Sequence, residues 1–482
     1  MKSKIKKGLF WSFADSYGSF FLKFFFTIGI ARMLTPSDYG LIAMLTIFIS
    51  VATWISEGGF MAALVQNNKA TDVDFNTGFY FNLGLSLFFF VLYFFSAPFI
   101  ADFYNEAKLI SVIRVYSLLL ILNALTKTSY VILVKSIIFK KQAIVNYIAT
   151  IVSGILGLIF AFYLQNYWAL VILTLSGSFM RMVGYYVAVR WLPSLSFSLK
   201  SLKHQIKFSY TVFISGLLDS SFNEIYNIII GKFYAPSTLG FFSQGRRFRE
   251  MFVGQLALSF NKVFLPTFSN AQDDLEALSK MYYKAYRHVF MFSSFIMILL
   301  VSIIPNFVLF FLTEKWLPSV LIIQIFLIEG FYYPLYTLNI NLLISIGKPN
   351  RYLLISVIHK VVSVFILIFT FKLGLNYVVA GWICSGIIGF VISEFVLSKH
   401  SFSSIVKFKE LGRILLPIIF IIPIALLIYK ITFLPPLLIM IMHALILPIS
   451  YIGLLRLFRL EEYDLIKEVY FKYKYRSENK IR

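Results

Sequence analysis

Charge is scarce in this chain, and acidic charge most of all. Charged residues make up 14% of the 482 positions, against about 25% in soluble globular chains. No stretch is long and polar enough to form a large soluble domain. A single cysteine, Cys384, excludes a disulfide framework and a cysteine-ligated metal centre; it is expected to be a small buried apolar residue. The five histidines, His204, His288, His359, His400 and His443, fall in separate segments without metal-ligand spacing. No metal and no cofactor are expected. No P-loop is present, which excludes ATP hydrolysis by that route. No large loop is left to carry a catalytic domain, which argues against a membrane glycosyltransferase or a polymer ligase. The chain does not read as an enzyme.

What is present is apolar surface. Hydrophobic residues make up 59% of the chain and its mean hydropathy is +0.81, so most of it is expected in lipid. A spanning helix needs about 20 apolar residues. On that ruler fourteen segments qualify: 9–31, 40–65, 77–97, 109–134, 143–164, 167–189, 207–232, 239–268, 283–313, 320–346, 352–373, 376–397, 412–430 and 433–456. They are too long for barrel strands, and only helices or closed barrels satisfy the backbone in lipid. The fold class is therefore all-α, a polytopic membrane protein of about fourteen transmembrane helices. The N-terminus, MKSKIKKG, resembles the basic region of a signal peptide. The apolar run behind it is too long, carries Asp15 and Lys23 and lacks a small-x-small cleavage site, so it reads as an uncleaved first helix.

Lysine and arginine number 44 against 22 acids, a net charge of +22. In a soluble protein that excess would point to nucleic acid; here its location decides, and no nucleic-acid partner is expected. With the N-terminus cytoplasmic, the inner segments and tail hold 29 basic residues and the outer segments only six: Arg32, Lys108, Lys232, Lys315, Lys372 and Lys430. The asymmetry places both termini inside. The basic tail, Arg456 to Arg482, is expected against anionic headgroups. Trp168, Trp316 and Tyr332 read as interfacial anchors.

The chain also repeats itself. IARMLTPSDYGLIAM, residues 30–44, returns as IGKFYAPSTLGFFSQ, residues 230–244. Ala97-Pro98-Phe99 resembles Ile304-Pro305-Asn306, and Asn166-Tyr167 matches Asn376-Tyr377. Segments 1–6 and 7–12 thus form two copies, with segments 13–14 added: residues 1–205, 206–400 and 401–482. Six is an even number of spans, so the copies enter the membrane in the same direction. Parallel repeats of this kind serve alternating access around a central site.

Nine basic residues remain at membrane depth: Lys23, Arg114, Lys127, Arg181, Arg246, Arg247, Arg249, Lys262 and Lys360. Acids there include Asp15, Glu57, Asp219, Glu224, Glu250, Glu329 and Glu394. A charge at the bilayer centre costs about 2.5–3.5 kcal/mol on the insertion scale, so these groups line a cavity, pair, or snorkel near helix ends. Lys127, Arg181, Lys262 and Lys360 fit lining and snorkelling equally. The densest group is GRRFRE, residues 245–250. Arg246 and Arg249 share a helix face at i, i+3, while Arg247 points about 100° away. The first copy has uncharged Thr46, Ile47 and Ile49 at the equivalent positions. Arg246 and Arg249 are candidates to bind an anionic substrate, since arginine recognises phosphate with a planar fork of donors. A salt-bridge network with Glu224, Glu250 or Glu57 is the alternative.

ARMLTPSDYGLIAM, residues 31–44, resembles the first-loop signature of bacterial polysaccharide flippases, the Wzx-like lipopolysaccharide and exopolysaccharide transporters of the MOP superfamily. GGFMAALVQ (58–66), APFIADFY (97–104), YWALV (167–171), LGFFSQGRR (239–247) and FLPTFS (264–269) resemble family sequence in order. The resemblance implies translocation of an undecaprenyl-pyrophosphate-linked oligosaccharide from the cytoplasmic to the outer leaflet of the bacterial inner membrane, through a V-shaped cationic cavity. Basic residues in helices 1, 2 and 8 serve related lipid flippases. Here Arg246, Arg247 and Arg249 match in the eighth helix and Lys23 in the first, whereas the second carries Glu57. Asp15, Glu57, Asp219 and Glu224 are candidates for H+ or Na+ coupling. The expected partners are the lipid-linked oligosaccharide, membrane lipids and polysaccharide polymerase or assembly proteins. A multidrug exporter of the related MATE type and a non-transport scaffold of a polysaccharide assembly complex are the competing readings.

Overall fold

The computed structural model describes residues 2–67, 69–136, 138–399, 408–430, 434–464 and 467. No strand occurs among them. Helices lie in all fourteen apolar segments. They are α1 (Lys2–Met33), α2 (Pro36–Glu57) with the short α3 (Phe60–Gln66), α4 (Asp72–Tyr104), α5 (Leu109–Tyr116) leading into α6 (Leu118–Lys135), α7 (Phe139–Leu164), α8 (Trp168–Val189) and α9 (Leu199–Phe233). There follow α10 (Pro236–Arg249), a π turn (Glu250–Gly254), α11 (Gln255–Asn270) and α12 (Leu275–Phe307), which ends in a second π turn. The chain continues through α13 (Ser319–Ile328), α14 (Tyr333–Ser345), α15 (Pro349–Thr370), α16 (Leu375–Ser398), α17 (Phe408–Tyr429) and α18 (Pro436–Leu457).

Ten of the described helical stretches are long and apolar enough to cross a membrane, which makes this a polytopic all-α membrane protein. The others include α1, α9 and the α10–α11 stretch, the helices that carry Asp15, Lys23, Asp219, Glu224 and the arginine run. Charge is concentrated where the apolar signal is weakest. The distal tail, with Lys472, Lys474, Arg476, Lys480 and Arg482, lies outside the described residues.

The repeated turn shows how local sequence starts a helix. Thr35 caps α2 with a capping box: the Asp38 carboxylate accepts from the Thr35 backbone N–H at 2.9 Å and from its hydroxyl at 2.6 Å. Pro36 takes the first helical position, where no N–H is missed. In the second copy Ala235 and Thr238 replace Thr35 and Asp38, so Pro236 opens α10 without the box. The segment read as one helix from 40 to 65 is broken: Gly58 (φ 51°) and Gly59 (φ 72°) both sit in the left-handed region, which ends α2 and restarts the chain as α3.

The chain divides into two compact units, Met1–Ser243 and Gln244–Arg482. This boundary follows packing and falls inside α10, whereas the boundary at 205–206 follows the duplication in sequence. In the first unit α7 packs on α1 and α8 through a face of small residues, including Ala149, Ser153, Gly154 and Ala161. Small residues let helices approach closely where no hydrophobic driving force acts between them. The two copies of the turn meet reciprocally in the same unit. A Cβ on Gly40 would overlap the Pro236 carbonyl, and one on Gly240 would overlap the Pro36 carbonyl. In the second unit Phe268, Tyr282, Leu338 and Leu397 pack together from α11, α12, α14 and α16. A separate cluster of Ile298, Ile421, Leu447 and Tyr451 joins α12 to α17 and α18.

Three sequence expectations are corrected. Cys384 is exposed on α16, not buried; inside lipid an apolar thiol needs no protein cover. Trp316 is fully buried and Tyr332 buried, its hydroxyl donating to the Ile383 carbonyl. Both are packing residues.

Candidate functional site

The arginine run sits at a change of helix type. α10 ends at Arg249, and the next five residues form a π turn, a feature frequent at functional sites. The close seat of α10 against α13 starts at Gly245, where a Cβ would lie 2.7 Å from Ile322 and 2.9 Å from Phe326. That approach lets Arg249 reach the end of α13. Its Nε and Nη2 donate to the two carboxylate oxygens of Glu329 at 2.7 and 2.5 Å, a bidentate fork. Its guanidinium also lies 4.6 Å from the centre of the Tyr333 ring. Glu329 is buried and Arg249 largely so, with 5% and 14% of their side chains exposed. Arg246 makes a looser pair one turn on, 3.4 Å from the half-exposed Glu250. Arg247 is part-buried on the same helix. The structure therefore separates three arginines that look alike in sequence. Arg249 is committed to a carboxylate that no spacing rule connects to it.

In the first unit Lys23 is exposed on α1 and lies within electrostatic range of Arg181 on α8. Arg181 is part-buried, and its Nη2 donates to Ser178 at 3.0 Å. The Asp15 carboxylate lies within electrostatic range of Lys23 as well. The sequence left Arg181 undecided because α8 offers no arginine run to mark it.

The four acidic candidates go to separate places. Asp15 accepts from Ser19 at 3.2 Å, from Gln142 at 3.3 Å and from Asn146 at 3.0 Å; Tyr185 donates to Asn146 at 3.0 Å behind it. These partners are neutral. Glu57 pairs with Lys127 at 2.6 Å. Glu224 accepts from Thr46 at 2.8 Å and from Asn227 at 2.6 Å. Asp219 is part-buried on α9. Among the described residues no group of three or more His, Cys, Asp or Glu is placed to hold a metal ion. What the arrangement offers is cations on membrane helices that suit an anion, and carboxylates that stand apart from one another.

A model of the family described as "Polysaccharide biosynthesis protein" matches residues 30–321, more than half of the chain. The chain belongs to the polysaccharide biosynthesis protein family. Among curated relatives of this family member, the lipopolysaccharide biosynthesis protein WzxC of Escherichia coli (strain K12) is 21% identical over 366 residues, covering 75% of this chain and 71% of WzxC. The succinoglycan biosynthesis transport protein ExoT of Rhizobium meliloti (strain 1021) is 24% identical over 57% of this chain and 56% of its own. The teichuronic acid biosynthesis protein TuaB of Bacillus subtilis (strain 168) is 23% identical over 63% of each. The matched region thus spans less than two thirds of ExoT and of TuaB. By structure, the lipid II flippase MurJ in an inward closed conformation superposes with a TM-score of 0.78 over 95% of this chain at 16% identity. An inward-facing MATE family transporter of the MOP superfamily reaches 0.58 over 80%. These two likenesses establish the fold.

Proposed function

We propose that this family member is a transporter that moves undecaprenyl-pyrophosphate-linked oligosaccharide from the cytoplasmic to the outer leaflet by alternating access. It resides in the bacterial cytoplasmic membrane with both termini inside. Its work is translocation, with no bond made or broken. The observation that carries the reading is the set of cations on otherwise apolar helices: Lys23 with Arg181 in one unit, Arg246 and Arg247 in the other. A pyrophosphate suits such donors, arginine above all. Arg249 supports them from its fork with Glu329. The WzxC and MurJ names, a lipopolysaccharide biosynthesis protein and a lipid II flippase, support the same substrate class. Asp15 is the coupling residue for H+ or Na+ in this proposal, because the groups that hydrogen-bond to it, Ser19, Gln142 and Asn146, are neutral. Polysaccharide polymerase or assembly proteins are the expected protein partners.

The test is translocation of a fluorescent undecaprenyl-pyrophosphate-linked oligosaccharide in vesicles holding the purified protein. Wild type moves the probe across the bilayer. Lys23→Ala with Arg181→Ala, and Arg246→Ala with Arg247→Ala, each lower the rate by about two orders of magnitude at unchanged protein level, the scale of losing charge-assisted hydrogen bonds. Transport of small cations in place of the lipid probe would favour the MATE-type exporter. Absence of any transport would favour the scaffold.

A further inference from the structure

The connection from α8 to α9, residues 190–198, and the first turns of α9 are built inside out for a chain in water. All of this lies in the first unit, and the polar side chains face the protein. The buried Asn76 of α4 donates through Nδ2 to the Ser194 and Ser196 hydroxyls at 2.6 and 2.8 Å and accepts from the Ser194 N–H at 3.1 Å. The Ser198 N–H donates at 3.1 Å to the hydroxyl of Thr77, which is also buried. On α9 the buried Gln205 donates to the Asp74 carbonyl at 3.1 Å, and the buried Ser209 to the Gly58 carbonyl at 2.8 Å. Trp191 packs edge-on against Phe79, with 5.8 Å between ring centres. The connection is pinned along its length.

The apolar side chains point outward. The Ser196 N–H donates to the Ser194 carbonyl at 2.7 Å, a three-residue turn that puts Leu195 at its apex, 99% exposed. Leu192, Phe197 and Leu199 are 75%, 51% and 66% exposed. Ile206 and Tyr210, also exposed, continue the stripe from Leu199 along one side of α9. Lys200, Lys203 and Lys207 stand exposed beside it at i, i+3 and i+7, and Arg190 is exposed at the other end. Burying hydroxyls and amides while presenting contiguous apolar surface is the reverse of what water selects. It suits the boundary between acyl chains and headgroups, where an apolar stripe flanked by lysines is stable. The position agrees: one span, α8, ends at Val189 and the next helix begins at Leu199, so the connection runs along the membrane surface. In the orientation proposed above that surface is the cytoplasmic one.

We propose that residues 190–207 are a membrane anchor that binds anionic phospholipid. Leu195, Phe197 and Leu199 enter the acyl boundary, and Lys200, Lys203 and Lys207 hold the phosphates of the headgroups. Each lysine lays its apolar stem along the stripe and carries its ammonium out to the headgroup level, and a basic stripe on such a segment attracts anionic rather than zwitterionic lipid. The anchor ties the connection between the two sequence repeats to one leaflet. It uses none of the cations assigned to the transported pyrophosphate, so it stands whatever the protein carries.

The test uses the full chain with Cys384→Ser and Leu195→Cys, labelled with an environment-sensitive fluorophore, in nanodiscs of phosphatidylcholine and phosphatidylglycerol. Leu195 is almost wholly exposed, so the label displaces no packing. A nitroxide carried on lipid is expected to quench the label, and a neutral water-soluble cobalt chelate to leave it bright. At identical total composition, the nitroxide on phosphatidylglycerol is expected to quench about fivefold more than on phosphatidylcholine, the effect of one lysine near an anionic surface. Lys200→Gln with Lys203→Gln and Lys207→Gln is expected to abolish that preference, with Tm in detergent unchanged because the three side chains are exposed. Quenching by the chelate but not by lipid overturns the anchor. Equal quenching by the two lipids in wild type, or a preference kept in the triple variant, overturns the anionic-lipid assignment. A label open to the chelate in nanodiscs but shielded in native membranes overturns it in favour of a protein partner.

Discussion

The charged side chains differ in what their removal should do, because they differ in what they touch. Arg249 and Glu329 form a buried fork in which each neutralises the other. Glu329→Gln leaves the guanidinium buried without its counter-charge, a loss of about 3–5 kcal/mol where a buried pair is broken on one side. Thermal unfolding in detergent should show a large drop in Tm. Adding Arg249→Gln to that variant should restore part of it. A double variant as unstable as the single one would show that the fork is not the source. Arg246 is held by a longer, half-exposed contact, and its loss should spare stability and fall on transport. Asp15→Asn keeps the shape of the carboxylate and its hydrogen-bonded neighbours Asn146 and Gln142. It is expected to fold normally and to abolish the dependence of transport on a proton or sodium gradient, measured by imposing each gradient across the vesicle.

At the scale of elements, the paired helix starts and the π turn set where side chains point. The α2 and α10 starts touch backbone to backbone at Gly40 and Gly240. Gly40→Ala or Gly240→Ala forces a methyl into a carbonyl and should cost about 1–3 kcal/mol, the usual range for overpacking. Gly40→Ser should cost at least as much, and a Tm equal to wild type in either would contradict the close approach. The π turn after Arg249 inserts one residue per turn relative to an α-helix. Deleting Val253 should close it into α geometry with α11 still in register, so Phe268 keeps its core with Tyr282 and Tm in detergent changes little, whereas a second deletion should rotate α11 by about 100° and lower Tm sharply. Sequence could not show the π turn, since Glu250 to Gly254 reads as ordinary helix. The break at Gly58–Gly59 was visible as two adjacent glycines, but residues 40–65 are apolar enough on both sides to conceal it.

Across the whole molecule, composition and periodicity carry the membrane class, the helical segments and the duplication, because lipid imposes length and hydropathy on every span. They also predict orientation: with Cys384→Ser as background, Lys372→Cys should label from outside intact cells and Lys348→Cys only after permeabilisation, and the reverse pattern would overturn the assigned topology. Those properties are local or additive along the chain, and so they are legible in one sequence. The partner of each buried charge is neither. Arg249 meets Glu329 80 residues away, Asp15 meets Asn146 131 residues away, and Ser56 faces Asn82 and Asn123 from two other helices. Helical periodicity says which face a residue occupies, and only the tertiary packing decides which neighbour that face meets. The sequence alone therefore determined that cations stand on membrane helices beside a repeated turn. The tertiary structure decided that Arg249 is held by a carboxylate, that Arg181 comes within electrostatic range of Lys23, and that Ser56, Asn82 and Asn123 gather beside Glu57, because each depends on helices brought together by packing rather than on spacing along the chain.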